Sequence, residues 1–407
     1  MQKKIKVPDE LRSEIALAPK EELVAVAQRR QKLFIGIPRE KQFQEKRIAL
    51  TPESVEILTA NGHRVIIESK AGEGAHLGDA VYSEAGAEIA RDLEEVLKAS
   101  MILKAAPPSV EEIKLLYGNQ VIISPIHLPT LEKSYLETLL SKKVTALAYE
   151  YIQDESEGFP IVASMSEIAG SASILIAAEL LSSPNFGRGV LLGGIAGVPP
   201  ASVVILGAGT VGEFAARAAI ALGAEVKVFD NSIYKLKRLQ RNIGAHVFTS
   251  IIRQDILTDA LIGADVAVGA IHSKSGRTPI IVSEEMVAQM KPGSVIIDVS
   301  IDQGGCFETS EITNHRKPIF KKYDVIHYCV PNIASRVPRT ASQAISNVIT
   351  TMLLEASSLG GFEKLMYAHA HIRNGVYMYK GTLTNAHLSE RFGMKHNDLN
   401  LLFSAGM

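Results

Sequence analysis

The sequence predicts an α/β fold made of two doubly wound, mostly parallel sheets, with the second domain inserted in a discontinuous first. Three observations carry that expectation. The chain has 407 residues, more than one hydrophobic core usually fills. Two separate series of short apolar runs alternate with amphipathic stretches, the pattern of strands and covering helices in a parallel sheet. Finally, a long helical pattern after Pro338, from Thr340 to Ser357, is suited to carrying the chain back to the first series.

The first series has its expected strands at Leu33 to Ile37, Arg64 to Ile67, Met101 to Ala105, Val121 to Ser124 and Thr145 to Ala148. Between them, Thr51-Pro52-Glu53 reads as an N-cap followed by proline at the first helical position. Asp92 to Lys98 and Leu131 to Lys142 have apolar residues at helical spacing. Ser166 to Leu181 is a small-residue-rich apolar helix suited to bridging two domains. The second series follows at Val203 to Leu206, Val226 to Phe229, Val266 to Ala270 and Val295 to Val299. The expected division is therefore an appendage over 1–32, with an amphipathic helix at Lys20 to Gln31, a first domain over 33–160 and 338–407, and a second over 161–337.

Composition narrows the class. The chain is 46% hydrophobic and 21% charged, an ordinary globular balance. Its 43 Lys and Arg against 44 Asp and Glu provide no global field for nucleic acid. Two cysteines, Cys306 and Cys329, make no disulfide framework and no zinc pair, so a reducing, cytoplasmic setting without a metal is expected. The N-terminus lacks the apolar run of a signal peptide, and the uncharged stretch from Gly189 to Gly212 is broken by Pro199-Pro200 and by glycines, so no membrane span is expected.

Chemistry enters at Gly207-Ala208-Gly209-Thr210-Val211-Gly212, which follows the strand Val203 to Leu206 and opens a helix from Glu213 to Leu222. Gly207, Gly209 and Gly212 permit a tight turn and let the backbone approach a pyrophosphate at the helix N-terminus. About 20 residues on, the next strand ends in Asp230, where a carboxylate accepts hydrogen bonds from an adenosine ribose and repels a 2′-phosphate. Strand, loop, helix, strand and acid in that order predict a Rossmann domain that binds NAD. Lys235 is placed to reach the same ribose or to lie on a wet helix face.

The flanking segments carry a wider resemblance. They are Ile35-Gly36-Ile37-Pro38-Arg39-Glu40, Lys46-Arg47-Ile48-Ala49-Leu50-Thr51-Pro52, Met165-Ser166-Glu167-Ile168-Ala169-Gly170, Gly189 to Gly197, Ile301-Asp302-Gln303-Gly304-Gly305-Cys306-Phe307-Glu308 and Tyr328-Cys329-Val330-Pro331-Asn332. From about Leu33 to the C-terminus the chain resembles the alanine dehydrogenase and transhydrogenase α-subunit family, and the Asp-Gln-Gly-Gly-Cys-Phe-Glu segment is similar to the alanine dehydrogenase branch. That resemblance implies NAD-dependent deamination of alanine to pyruvate and ammonia, the reverse amination, and a homo-oligomer, dimer or hexamer. It implies Arg47 as the substrate arginine, His127 as the active-site histidine and Asp302 as the catalytic aspartate, with Ser166 and Asn332 added to the cofactor site. An arginine fork suits a carboxylate, and a histidine can exchange a proton at the atom bonded to the reacting carbon.

One position departs from the pattern. The family's second substrate lysine, in a Lys-x-Lys-x-Pro segment, corresponds to Ala106 in Lys104-Ala105-Ala106-Pro107-Pro108. On an extended strand positions 104 and 106 share a face, so Lys104 is expected to contact the substrate in its place. The alternatives are another amino or 2-oxo acid substrate, a soluble transhydrogenase-like subunit, and a non-enzymatic NAD sensor. The retention of Arg47, His127 and Asp302 speaks against the sensor, which needs only the second domain.

Overall fold

The computed structural model describes residues 31–405 except 43, 129, 130, 186, 274 and 275. The appendage, with its expected helix, therefore lies outside the described residues apart from Gln31 and Lys32. The first sheet is formed by β1 (Phe34–Ile37), β2 (Arg64–Glu68), β3 (Glu88–Ala90), β4 (Met101–Leu103), β5 (Val121–Ser124) and β6 (Thr145–Ala148). The second takes β7 (Ser202–Leu206), β8 (Glu225–Phe229), β9 (Phe248–Ser250), β10 (Val266–Gly269), β11 (Val295–Asp298), β12 (Ile319–Lys322) and β13 (Val325–Tyr328). The chain then returns to the first sheet with β14 (Val376–Tyr379) and β15 (Thr382–Leu383).

Strand order in the eight-stranded sheet is β15-β14-β6-β5-β4-β1-β2-β3, and in the seven-stranded sheet β12-β13-β11-β10-β7-β8-β9. Pairing is parallel except at β14, β15 and β12, which add antiparallel edges. Each sheet runs outward one way from its first strand and then restarts on that strand's other side, giving switch points between β1 and β4 and between β7 and β10. Ligands of open α/β sheets bind at the strands' carboxyl ends beside such points.

The apolar runs are continuous because both sheet faces are buried. Ile35, Ile37, Leu103, Ile123 and Leu147 pack with Ile345, Ile349 and Leu353 of the helix Pro338–Leu359. Their strand neighbours Ile102, Ile122 and Ala146 pack on the opposite face with Leu136 and Leu139. In the second sheet Val203, Ile205, Val268 and Ile297 meet Ala215, Ala216 and Ala219, while Val204, Leu206, Ala267 and Ile296 meet Leu257 and Leu261.

The bridging helix begins earlier than Ser166, at Pro160, and ends at Leu180; proline is pre-organised for a first turn. By length and composition it is long and apolar enough to cross a membrane. Here it packs against the helices Thr210–Ala221 and Pro338–Leu359. A Cβ on Gly170 would stand 2.3 Å from the Val211 carbonyl oxygen, so the two helices approach as closely as they do only over a glycine.

Candidate active site

On the first sheet, chemistry collects where β1, β4, β5 and β6 end. Glu40, just beyond β1, accepts the Ala105 N–H at 2.6 Å. Lys104, just beyond β4, is 2% exposed, and its ammonium stands 3.1 Å from both a Glu40 and a Glu112 oxygen. Burial lifts the Glu40 carboxyl to about 7 in spite of Lys104. For Lys104, burial acts to release the proton, but Glu40 and Glu112 outweigh it and the ammonium is held. Lys104, expected to contact the substrate in place of a lysine at position 106, stands between these two carboxylates. The strand stops at Leu103 rather than Ala105 because the Ala105 N–H turns to the Glu40 carboxylate. The two-residue alternation therefore does not extend to Ala106, and two of the three Lys104 N–H donors are placed for carboxylates.

His127 follows β5 in a left-handed conformation, φ 48°, uncommon for a side chain larger than glycine, asparagine or aspartate. Glu150, in the single turn Tyr149–Tyr151 after β6, holds it there: one carboxylate oxygen accepts the Ile126 N–H at 2.7 Å and the His127 N–H at 3.4 Å. The other Glu150 oxygen is buried without a hydrogen-bond partner, and burial lifts the carboxyl to about 7. Burial, then the nearby Arg47 charge, lower the His127 pKa, so its imidazole is neutral at pH 7. The Tyr149 hydroxyl donates to the Ala105 carbonyl at 2.9 Å and so ties the ends of β4 and β6 together.

Arg47 lies at the centre of the group. Its Nε donates to Glu45 at 2.8 Å and a terminal nitrogen to the other Glu45 oxygen at 2.5 Å, and the second terminal nitrogen faces the Met165 thioether at 3.3 Å. Burial works against the Glu45 carboxylate, yet Arg47 prevails and holds it down at about 2. The Arg47 charge is felt at His127, Asp302 and Tyr149 alike.

The second sheet supplies Asp302 from a short turn, Val299–Gln303, capped by Asp298. Asp298 is fully buried and accepts the Ser300 N–H at 3.0 Å, the Cys306 N–H at 2.9 Å and the Ser310 hydroxyl at 2.6 Å, fixing the loop on which Asp302 stands. Asp302 is itself exposed, but desolvation by the protein around it raises its carboxyl to about 6, against a bond from the Asn332 N–H at 3.3 Å and the attraction of Arg47.

The glycine loop has the geometry its pattern requires. Gly207 has φ 108°, and a Cβ there would stand 2.3 Å from the Ala270 carbonyl oxygen across the β7–β10 switch point. A Cβ on Gly212 would collide with the Gly207 carbonyl oxygen. Gly209 precedes the helix Thr210–Ala221 as its N-cap. Asp230 accepts the Ala208 N–H at 2.8 Å and the Ser232 N–H at 2.7 Å, and the Lys235 ammonium stands 4.0 Å away. Each oxygen retains a lone pair for a further donor. Ser166 follows Met165 on the bridging helix, and Asn332, left-handed at φ 57°, heads the turn Ile333–Arg336.

The structure thus gathers Arg47, His127 and Asp302 into one electrostatic unit, sets Lys104 between Glu40 and Glu112 with Glu40 in turn felt at Arg47, and places Asp230 and Lys235 beyond β8. Sequence reasoning passed over Glu45, Glu150 and Asp298. The first stands two residues before the arginine it holds, and the other two lie where apolar strands end, the same signal that pointed to His127.

An α/β protein with paired switch points, a glycine loop in which a Cβ on Gly207 or Gly212 would collide with backbone, and an arginine, histidine and aspartate at the junction has the architecture of a two-domain dinucleotide-dependent enzyme. Residues 36–169 match the family model for the alanine dehydrogenase/PNT N-terminal domain, and residues 173–386 that for the C-terminal domain. The chain belongs to the alanine dehydrogenase/PNT family. It is 38% identical to an alanine dehydrogenase of Halomonas elongata over 89% of this chain and 97% of that one. It is also 38% identical to an alanine dehydrogenase of Bacillus subtilis, over 89% and 96%. A solved L-alanine dehydrogenase superimposes with a TM-score of 0.83 at 36% identity, covering 88% of this chain and 99% of that one. A transhydrogenase from Sinorhizobium meliloti shares the fold, with a TM-score of 0.74 at 23% identity over 87% and 99%.

Proposed function

We propose that the protein is an NAD-dependent alanine dehydrogenase, converting L-alanine, NAD+ and water to pyruvate, ammonium, NADH and a proton, and running in reverse. The observation that carries this reading is the convergence of Arg47, His127 and Asp302 beside the glycine loop's sheet. The residues fit the cofactor: Gly207 and Gly212 let the loop fold tightly on its own backbone, Gly209 leaves open space at the helix N-terminus for a pyrophosphate, and Asp230 offers lone pairs to the ribose hydroxyls. When bound, NAD supplies the hydride acceptor. Gly207, Gly209, Gly212 and Asp230 form its cradle, with Ser166, Lys235 and Asn332 at the margins.

The chain's own residues do the rest. Arg47 takes the substrate carboxylate on the edge that now faces Met165, since a thioether is a weak acceptor and yields to an anion. His127, neutral at pH 7, accepts a proton released from the substrate nitrogen or from attacking water, and returns it to the carbonyl oxygen in reverse. Asp302, within electrostatic reach of Arg47, serves as a charge that stabilises the cationic substrate nitrogen. Arg47 is buried and His127 half-buried, which strengthens the interactions they make. Lys104 acts as the counter-charge of Glu40 and Glu112 rather than as a substrate ligand. We divide the chain at 160/161 and 337/338, and we read the protein as a homo-oligomer, which light scattering of the full chain tests.

A second reading, a different small 2-oxo acid, is favoured by one observation: with Lys104 engaged, Arg47 alone of the two expected cations is left for the substrate. Steady-state assay with NADH, ammonia and a panel of 2-oxo acids decides. Pyruvate as the best substrate supports the first reading, a bulkier oxo acid the second, and turnover of none overturns both.

A further inference from the structure

The Glu45 carboxylate does more than neutralise Arg47. One of its oxygens accepts the Lys46 and Arg47 N–H groups at 3.0 and 2.9 Å, the Arg47 Nε at 2.8 Å and the Ser335 hydroxyl at 3.0 Å. The other accepts the Arg47 terminal nitrogen and the Asn332 side-chain amide, the latter at 2.9 Å. Arg47 follows the first sheet's opening strand, whereas Asn332 and Ser335 follow the second sheet's β13. The docking is reinforced on either side: the Ser335 hydroxyl accepts the Lys46 N–H at 3.0 Å, and the Gln44 side chain accepts the His315 N–H at 3.1 Å. Asn332 itself faces two ways. Its side chain serves Glu45, while its N–H serves Asp302.

We propose that Glu45 is a positioning residue that aims the substrate-binding edge of Arg47 only while the turn Ile333–Arg336 of the second sheet's half is docked against it. The inference rests on the reading of Arg47 as the carboxylate clamp. The guanidinium offers two edges for bidentate contact. Glu45 occupies the one formed by Nε and a terminal nitrogen, so an incoming carboxylate meets the edge at Met165. With side chains only 6% and 1% exposed, the Arg47–Glu45 pair is no surface ion pair free to rearrange. Rotation of Glu45 would abandon Ser335 and Asn332 as well as Arg47. The clamp on the first half and Asp302 on the second are therefore registered through one carboxylate and one asparagine, and separation of the halves would release both.

The test is steady-state kinetics on the full chain with Glu45→Gln, Ser335→Ala and the double variant, with melting curves to verify folding. Glu45→Gln is expected to raise the KM for the oxo acid at least about tenfold while NADH affinity stays within about twofold. Ser335→Ala, which leaves the Arg47–Glu45 pair itself intact, is expected to raise that KM about threefold, and to add nothing on top of Glu45→Gln. Shared, non-additive effects of that kind mark one device. An unchanged KM in Ser335→Ala, or effects that multiply in full, would overturn the proposal even if Glu45→Gln fails to fold. Arg47→Lys separates this from the underlying reading. If it leaves the oxo-acid KM unchanged, the clamp assignment falls and the proposal with it; if it raises the KM while Ser335→Ala does not, only the proposal falls.

Discussion

Arg47 and Lys104 are both buried cations beside the end of a first-sheet strand, and both are held by carboxylates, yet they are built for different work. Lys104 is enclosed by Glu40 and Glu112, which come with it from the same half of the molecule. An ammonium is a compact charge, and two carboxylates at 3.1 Å satisfy it from opposite partners. Arg47 has a planar fork with more donors than Glu45 can use, so one edge remains for a ligand. Its carboxylate is in turn shared with the other half of the molecule. The two cations thus differ in what their partners leave over, an edge of the guanidinium at Arg47 and a single N–H at Lys104.

The strongest effects are expected where the two halves meet. His127→Ala and Asp302→Asn should each lower turnover on the order of a hundredfold or more, with NADH affinity little changed in the His127 variant, as binding titrations would reveal. Near-normal turnover of His127→Ala would remove the histidine from the chemistry and leave Arg47 without a catalytic neighbour on its own sheet.

A smaller, graded effect comes from pH. Desolvation places Asp302 at about 6, so turnover should fall roughly tenfold for each pH unit below that value, and Asp302→Asn should lose this limb. Stability has a different sign at the two ends of the network. Asp302 has a folded-state pKa above its ordinary value of 3.8, so the folded protein binds the extra proton and is relatively stabilised as pH falls from about 6 towards 4. Glu45, held at about 2 against an ordinary 4.5, stabilises the fold above that ordinary value and loses its contribution as pH falls between the two. A fold that only gained stability down to pH 3 would contradict the buried Arg47–Glu45 pair.

Away from the junction, Asp230→Ser should narrow the preference for NAD over NADP about tenfold, since one carboxylate sets the repulsion of a 2′-phosphate. Titration with both cofactors measures it. An unchanged ratio would show that Lys235, 4.0 Å from Asp230, already masks that charge.

Much of this was legible in the chain. The strand–loop–helix–strand–acid order around Gly207 and Asp230 is local, and local backbone demands are written in consecutive residues. The apolar runs gave the inner strands because burial on both faces leaves no polar interruptions. The edge strands β3, β9, β12 and β15 are short or partly exposed and leave no clear pattern, β14 is buried between β15 and β6 but lies far along the chain from the rest of its sheet, and β13 is interrupted by His327, which is buried by bonding Thr309 at 2.8 Å. Glu45 and Glu150 were missed for a different reason. Their roles depend on partners distant in sequence, Asn332 for one and His127 for the other, and spacing along the chain does not encode such pairings. The strand β4 stops two residues short of the expected Ala105 because the Ala105 N–H turns to Glu40, a partner distant in sequence.

The most direct test compares the two cations. In one set of pyruvate titrations at saturating NADH and ammonia, Arg47→Lys should raise the KM for pyruvate about thirtyfold, because a point charge replaces the fork. Lys104→Met should leave that KM within about threefold, while lowering stability by about 3–5 kcal/mol through two buried carboxylates deprived of their partner. A large KM increase in Lys104→Met with an unaltered KM in Arg47→Lys would reverse the assignment and contradict the account.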